Sequence, residues 1–196
     1  FCNYLFYQPK ELWQYEAALF CCDRNEIKAY MLRRLKPGLG GGKTIFVTVD
    51  EVASAHIKEL AAVYPVLNAD KAKDADMRFC RFIEGVFDKR IVSSVFLTGE
   101  GFENNWYPTS LRVLCNGRRA FIGNNLYSKG ACYTAYRKMF MHIEDPVYLS
   151  EDKLTDQITV NMRVNGQEMW YPIVSWGSHW YESNNQAGRR RNRPTA

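Results

Sequence analysis

Gly99-Glu100-Gly101 follows an apolar run from Ile91 to Leu97 and precedes Phe102. Open α/β sheets bind ligands where strands end, because a glycine turn lets the backbone come close to a polar atom. The spacing predicts a ligand site there and dictates no reaction. A second cluster, Gly38 to Thr44 (GLGGGKT), ends in Gly-Lys-Thr as a phosphate loop does. Pro37 stands where that motif needs a glycine, and strand-like Ile45-Phe46-Val47-Thr48-Val49 follows where it needs a helix amino terminus. A connection between strands is the better reading.

The remaining reactive side chains point away from nucleophilic catalysis. His56, His142 and His179 have no motif neighbour, no serine sits in an elbow motif, and no His/Cys spacing suits zinc. Glu144-Asp145 and Glu151-Asp152 fall in loop-like stretches, where solvation explains paired carboxylates. The six cysteines (Cys2, Cys21, Cys22, Cys80, Cys115, Cys132) form no CxxC pair and mostly lie in apolar runs. They read as buried thiols of a reducing compartment.

With 46% hydrophobic and 24% charged residues, the 196-residue chain reads as globular. Arg189, Arg190, Arg191 and Arg193 supply four of the five net positive charges, leaving +1 for the rest. Nucleic acid is therefore expected only through that tail, if at all. No signal peptide and no run of the roughly 18–20 apolar residues needed to span a bilayer is present, so a cytoplasmic location without membrane contact is expected. The chain opens at Phe1 inside a strand-like pattern and reads as a piece of something longer.

The elements that must position the turn follow from periodicity and punctuation. Strands are expected at Asn3 to Tyr7, Leu12 to Cys22 and Glu26 to Leu35, the last two joined across Asp23-Arg24-Asn25, in a sheet covered on both sides. Asp50 is expected to cap a helix whose face is Ala53, Ile57, Leu60, Ala61 and Tyr64, ended by Pro65. A helix over Asp74 to Lys89 carries the stripe Met77, Cys80, Ile83 and Phe87, widened by Phe79, Phe82 and Val86. After strand Ile91 to Leu97, Pro108 opens a short helix that Asn116-Gly117 closes. Strand Arg119 to Ile122, a Gly123-Asn124-Asn125 turn and a helix over Lys129 to Met141 complete the body. Gln157 to Val164 and Gln167 to Ser175 flank Asn165-Gly166, a strong hairpin signal. The aromatics of this segment (Trp170, Tyr171, Trp176, Trp180, Tyr181) are expected to pack on the rest of the molecule.

Val95-Phe96-Leu97-Thr98-Gly99-Glu100-Gly101-Phe102 resembles the strand-then-glycine-turn adenosine motif of the actin, heat-shock chaperone and sugar-kinase superfamily, especially the bacterial cell-division actins. Tyr127-Ser128-Lys129-Gly130-Ala131-Cys132 resembles the small-residue helix start that follows it. The overall run is similar to the carboxyl-terminal part of an uncharacterised bacterial family with a degenerate form of this fold, over roughly Phe1 to Met141. The resemblance implies an α/β fold, a mixed sheet of about five strands with helices on its faces (a ribonuclease-H-like, actin-like ATPase half), here followed by a β-hairpin. It implies ATP or ADP as ligand, held at Gly99, Glu100, Gly101, Phe102, Asn124, Asn125 and Lys129. In that superfamily the opening hairpin carries an acidic residue followed by glycines that grip the phosphates. The corresponding turn is expected at Tyr7-Gln8-Pro9-Lys10-Glu11, without glycine, and Glu100 would repel a triphosphate.

The expected organisation is an ATPase-like half-domain over 1–144, an aromatic hairpin over 145–182 and a disordered basic tail over 183–196. The expected function is that of a non-catalytic or weakly nucleotide-binding module working through protein contacts, with a protein partner or the missing first half of the fold beside it. Two alternatives stand: part of an active ATPase or sugar kinase, and a scaffold contacting polyanions through its arginines.

Overall fold

The computed structural model describes residues 1–35, 45–60, 69–140, 146–154, 156–175, 177–179 and 181. The expectations for Gly38 to Thr44, Ala61, Tyr64, Pro65, His142, Glu144-Asp145, Trp176, Trp180 and the arginine tail lie outside the described residues. The chain divides into two compact units, Phe1–Arg34 with Val49–Met141, and Leu35–Thr48 with His142–Ala196.

The architecture is mixed α/β. A six-stranded sheet has the order β5-β4-β1-β2-β3-β6, with β1 Glu16–Asp23, β2 Glu26–Leu35, β3 Phe46–His56, β4 Val92–Thr98, β5 Arg119–Ile122 and β6 Val147–Tyr148. A separate two-stranded sheet pairs β7 (Ile158–Val164) with β8 (Gln167–Val174). β1 runs antiparallel to β2 and parallel to β4, and β4 runs parallel to β5. The helices are α1 Cys2–Phe6, α2 Ala69–Phe87, α3 Pro108–Leu114 and α4 Leu126–Phe140, with 3-10 turns at Lys10–Trp13 and Glu100–Phe102.

In the first unit the central strand is buried on both faces, since Ala17, Ala18, Leu19 and Phe20 are all enclosed. On one face, Ala18, Phe20, Cys22, Ile27, Ala29 and Met31 meet Ala75, Phe79, Ile83 and Val86 of α2 and Leu114 of α3. Phe20 lies edge-on to Phe79, Phe82 and Phe87, with centroids 5.7, 6.1 and 5.8 Å away. On the other face, Phe1 and Tyr4 stand edge-on to Phe96, which stacks on Phe121 at 5.0 Å.

Several expectations are corrected. Asn3 to Tyr7 lies in and just past helix α1, not in a strand: Phe1, Tyr4 and Tyr7 recur every third residue and put their rings on one side, against Phe96 and Tyr133. Tyr7 to Glu11 therefore forms no hairpin; the hairpin of this sheet turns at Arg24-Asn25, after Asp23. Leu12 and Trp13 belong to a 3-10 turn, and the strand begins at Glu16. Asp50 caps nothing, because β3 continues to His56. The Ile57 N–H donates to the Asn25 carbonyl and Arg33 reaches Asp50 at 4.0 Å, so a long ladder with β2 wins over local helix signals. Helix α2 is described over Ala69–Phe87, and its buried stripe is Ala75, Phe79, Ile83 and Val86, leaving Met77 46% exposed.

In the second unit, β6 adds to the first residues of β3 in parallel, Phe46 opposite Val147 and Val47 opposite Tyr148. The β7–β8 hairpin turns at Asn165 and Gly166, whose φ values of 50 and 82° are the left-handed pair that a tight hairpin requires. Of the aromatics expected to pack away, Trp170 does not: it is 69% exposed.

Candidate functional site

Parallel pairing brings the ends of three strands to one edge of the sheet. Cys21 stands opposite Thr98, and Leu97 opposite Ile122. The turns leaving β1 (Arg24-Asn25), β4 (Gly99 to Phe102) and β5 (Gly123 to Asn125) therefore share that edge, where a sheet of this kind takes ligands.

The glycine turn is seated on β1. Gly99 has φ 100° and ψ 156°, a region essentially restricted to glycine. A Cβ there would stand 2.2 Å from the Cys22 carbonyl oxygen, and one on Gly101 would stand 2.1 Å from the Cys22 Sγ. The close approach that such glycines permit is thus used by Cys22. The turn is closed further by its own bonds: Phe102 N–H donates to the Gly99 carbonyl and Trp106 Nε1–H to the Gly101 carbonyl at 2.6 Å. Phe102 is buried among Phe79, Trp106 and Tyr107, at centroid distances of 5.4, 6.2 and 5.2 Å, and Tyr107 donates its hydroxyl proton to the Phe102 carbonyl.

A pocket of about 220 Å³ remains, lined by Leu97, Thr98, Gly99, Phe102, Glu103, Asn105, Ile122 and Asn124. Small-molecule sites occupy roughly 300–1,000 Å³. Of the seven expected ligand residues, Gly99, Phe102 and Asn124 meet at this pocket, whereas Glu100, Gly101, Asn125 and Lys129 do not line it. The Asn125 carbonyl starts α4 by accepting the Lys129 N–H at 3.0 Å, and the Ser128 hydroxyl also donates to it. Asp23, Glu100 and Glu103 are exposed at this edge beside Arg24 and Lys129, and Glu26 there pairs with Lys28 at 3.6 Å.

Two residues that sequence reasoning passed over organise the edge. Cys22 is one; burial first, then the charges of Cys21 and Asp23, push its thiol up to about 12. Asp76 of α2 is the other. Its buried carboxylate accepts the Thr109 N–H at 2.7 Å, the Ser110 N–H at 2.8 Å and the Ser110 hydroxyl at 2.6 Å. It caps α3 from a different helix, which has no side-chain cap of its own at Tyr107. No local signal marks Asp76, since its partners are 33 and 34 residues away.

The expectation of buried thiols is corrected as well: Cys2 and Cys22 are buried, Cys21 and Cys80 are half-buried, and Cys115 and Cys132 are exposed. His56 stands 3.2 Å from the Asn25 amide, and His179 pairs with Asp152 at 2.7 Å in the second unit. The Ser150 hydroxyl bonds to that same carboxylate, so no Ser–His dyad forms. Among the described residues no three His, Cys, Asp or Glu side chains converge as a metal site, and no helix is long and apolar enough to cross a membrane.

A larger cleft of about 530 Å³ lies at the opposite end of β1 and β4, lined by Tyr15, Glu16, Arg33, Asp88, Lys89, Arg90 and Ile91. There Glu16 takes Arg33 at 3.1 Å and Arg90 at 3.4 Å, so the two arginines that line it are held in internal ion pairs.

No curated protein and no solved structure matches the chain. Residues 1–151 match the model of the C-terminal part of a family of unknown function, DUF5716, and the chain belongs to that family.

Proposed function

We propose that this chain is a degenerate module of the actin, chaperone and sugar-kinase build, non-catalytic or at most weakly nucleotide-binding, that works in the cytoplasm through protein contacts. The observation that carries this reading is the glycine turn at Gly99 to Gly101, whose close approach is taken up by Cys22 of the neighbouring strand. A turn packed against its own sheet cannot also wrap a purine, and about 220 Å³ beside it is small for a nucleoside.

The hairpin at the same edge points the same way. Asp23 supplies an acidic residue, and Arg24 follows in the left-handed region, φ 53°, where the resembled superfamily has glycine. A single guanidinium on a long side chain stands there in place of converging backbone N–H groups, and exposed Glu100 and Glu103 nearby oppose its charge. The strand order, with β1 central between β2 and β4, supports the ribonuclease-H-like reading of the scaffold.

Calorimetric titration of ATP or ADP, each with magnesium, into the chain tests the proposal. No saturable heat below roughly millimolar nucleotide is expected. Saturable binding well below that, or turnover of ATP by the chain, overturns it.

A further inference from the structure

The β7–β8 hairpin, beyond the residues that match the family, exposes a continuous apolar face. Side chains directly opposite in an antiparallel pair share a face, and the pairs Val160–Tyr171 and Met162–Met169 do so here. They are 40, 37, 44 and 49% exposed. Ile158 and Ile173, at the register shift, continue the strip at 52 and 36%. The charged residues of the hairpin, Arg163 and Glu168, are paired on the other face together with Trp170.

We propose that this face is the contact between two copies of the chain, stacked face to face about a two-fold axis near Val160 and Tyr171, the middle row of the strip, with Met162 and Met169 covered beside it. This names the partner for the protein-contact role proposed above and rests on that reading. Three considerations select a second copy. A two-stranded sheet is marginal alone and becomes stable on gaining a second layer; two such faces, about 10 Å apart, form a four-stranded sandwich. The six side chains expose on the order of 500 Å², so a two-fold pair buries roughly 1,000 Å², the lower bound of a specific interface. The strip carries no charge, so stacking it on itself brings no like charges together, whereas a foreign partner would find no complementary charge to recognise.

Sedimentation equilibrium of the full chain from about 1 to about 200 µM, joined to oxidative footprinting of methionines at both ends of that range, tests this. The expected result is a rise from monomer to dimer mass, with Met162 and Met169 oxidised several-fold more slowly in the dimer. Met139 on α4, 76% exposed, is expected to keep its rate and serves as the internal control. Met162→Glu is expected to remain monomeric, and Asn161→Glu on the opposite face to dimerise like the parent. A chain that stays monomeric throughout, as one whose face serves a foreign amphipathic helix would, overturns the proposal. A dimer whose Met162 and Met169 oxidise as fast as in the monomer overturns it too, without recourse to any variant. Nucleotide titration decides the parent reading separately: a monomer that ignores ATP sinks only this inference, and a dimer that binds ATP tightly sinks only the other.

Discussion

Gly99 and Gly117 both have positive φ, 100 and 72°, but their surroundings differ. A Cβ at Gly99 meets the Cys22 backbone, whereas one at Gly117 meets nothing within 4 Å. Gly99→Ala is therefore expected to cost about 3 kcal/mol or more, and Gly117→Ala only about 1 kcal/mol of left-handed strain, read from denaturant midpoints. Thiol chemistry separates the cysteines in the same way. With Cys22 near 12 and Cys2 near 11, both by burial, only about one part in a thousand or less of either is thiolate at pH 8. Iodoacetamide at that pH is expected to label exposed Cys115 and Cys132 in the native chain, and Cys2 and Cys22 only after denaturation, as peptide mass mapping would show. The sequence located the glycine turn because glycine spacing is a local signal. It did not show what the glycines are for, because Cys22 arrives from a strand nearly eighty residues earlier.

At the level of elements, α3 depends on α2 through Asp76. Asp76→Ala removes the acceptor for two backbone N–H groups and a hydroxyl, leaving them buried at a helix start. A loss of about 2–4 kcal/mol is expected by urea denaturation, and Asp76→Asn, which keeps one acceptor oxygen, is expected to lose less. Elements bounded by turn chemistry were readable: Glu26 to Leu35 and Arg119 to Ile122 are strands over those residues, and the Asn165-Gly166 hairpin turns where expected. Elements decided by distant partners were not. Asp50-Glu51 followed by alanines imitates a helix start, yet the ladder with β2 draws the stretch out to His56. Aromatic-rich Asn3 to Tyr7 imitates a strand, yet its rings find Phe96 and Tyr133 only when coiled.

For the whole molecule, the buried thiols and Tyr107 shift in one direction, upward, with burial as the first cause. Protons are thus held by the folded chain after the unfolded chain has released them. Their contribution is complete below the ordinary thiol value of 9.0 and is lost as pH rises through about 11 to 12. Urea midpoints measured at pH 8 and at about pH 11 are expected to fall with rising pH, and Cys22→Ala is expected to flatten that fall. The same cysteine also constrains how this protein can change over generations. Cys22 and Gly101 are complementary in size, so neither position can gain bulk while the other keeps its present occupant. A larger residue at position 101 is therefore tolerated only in a chain where residue 22 has already become smaller.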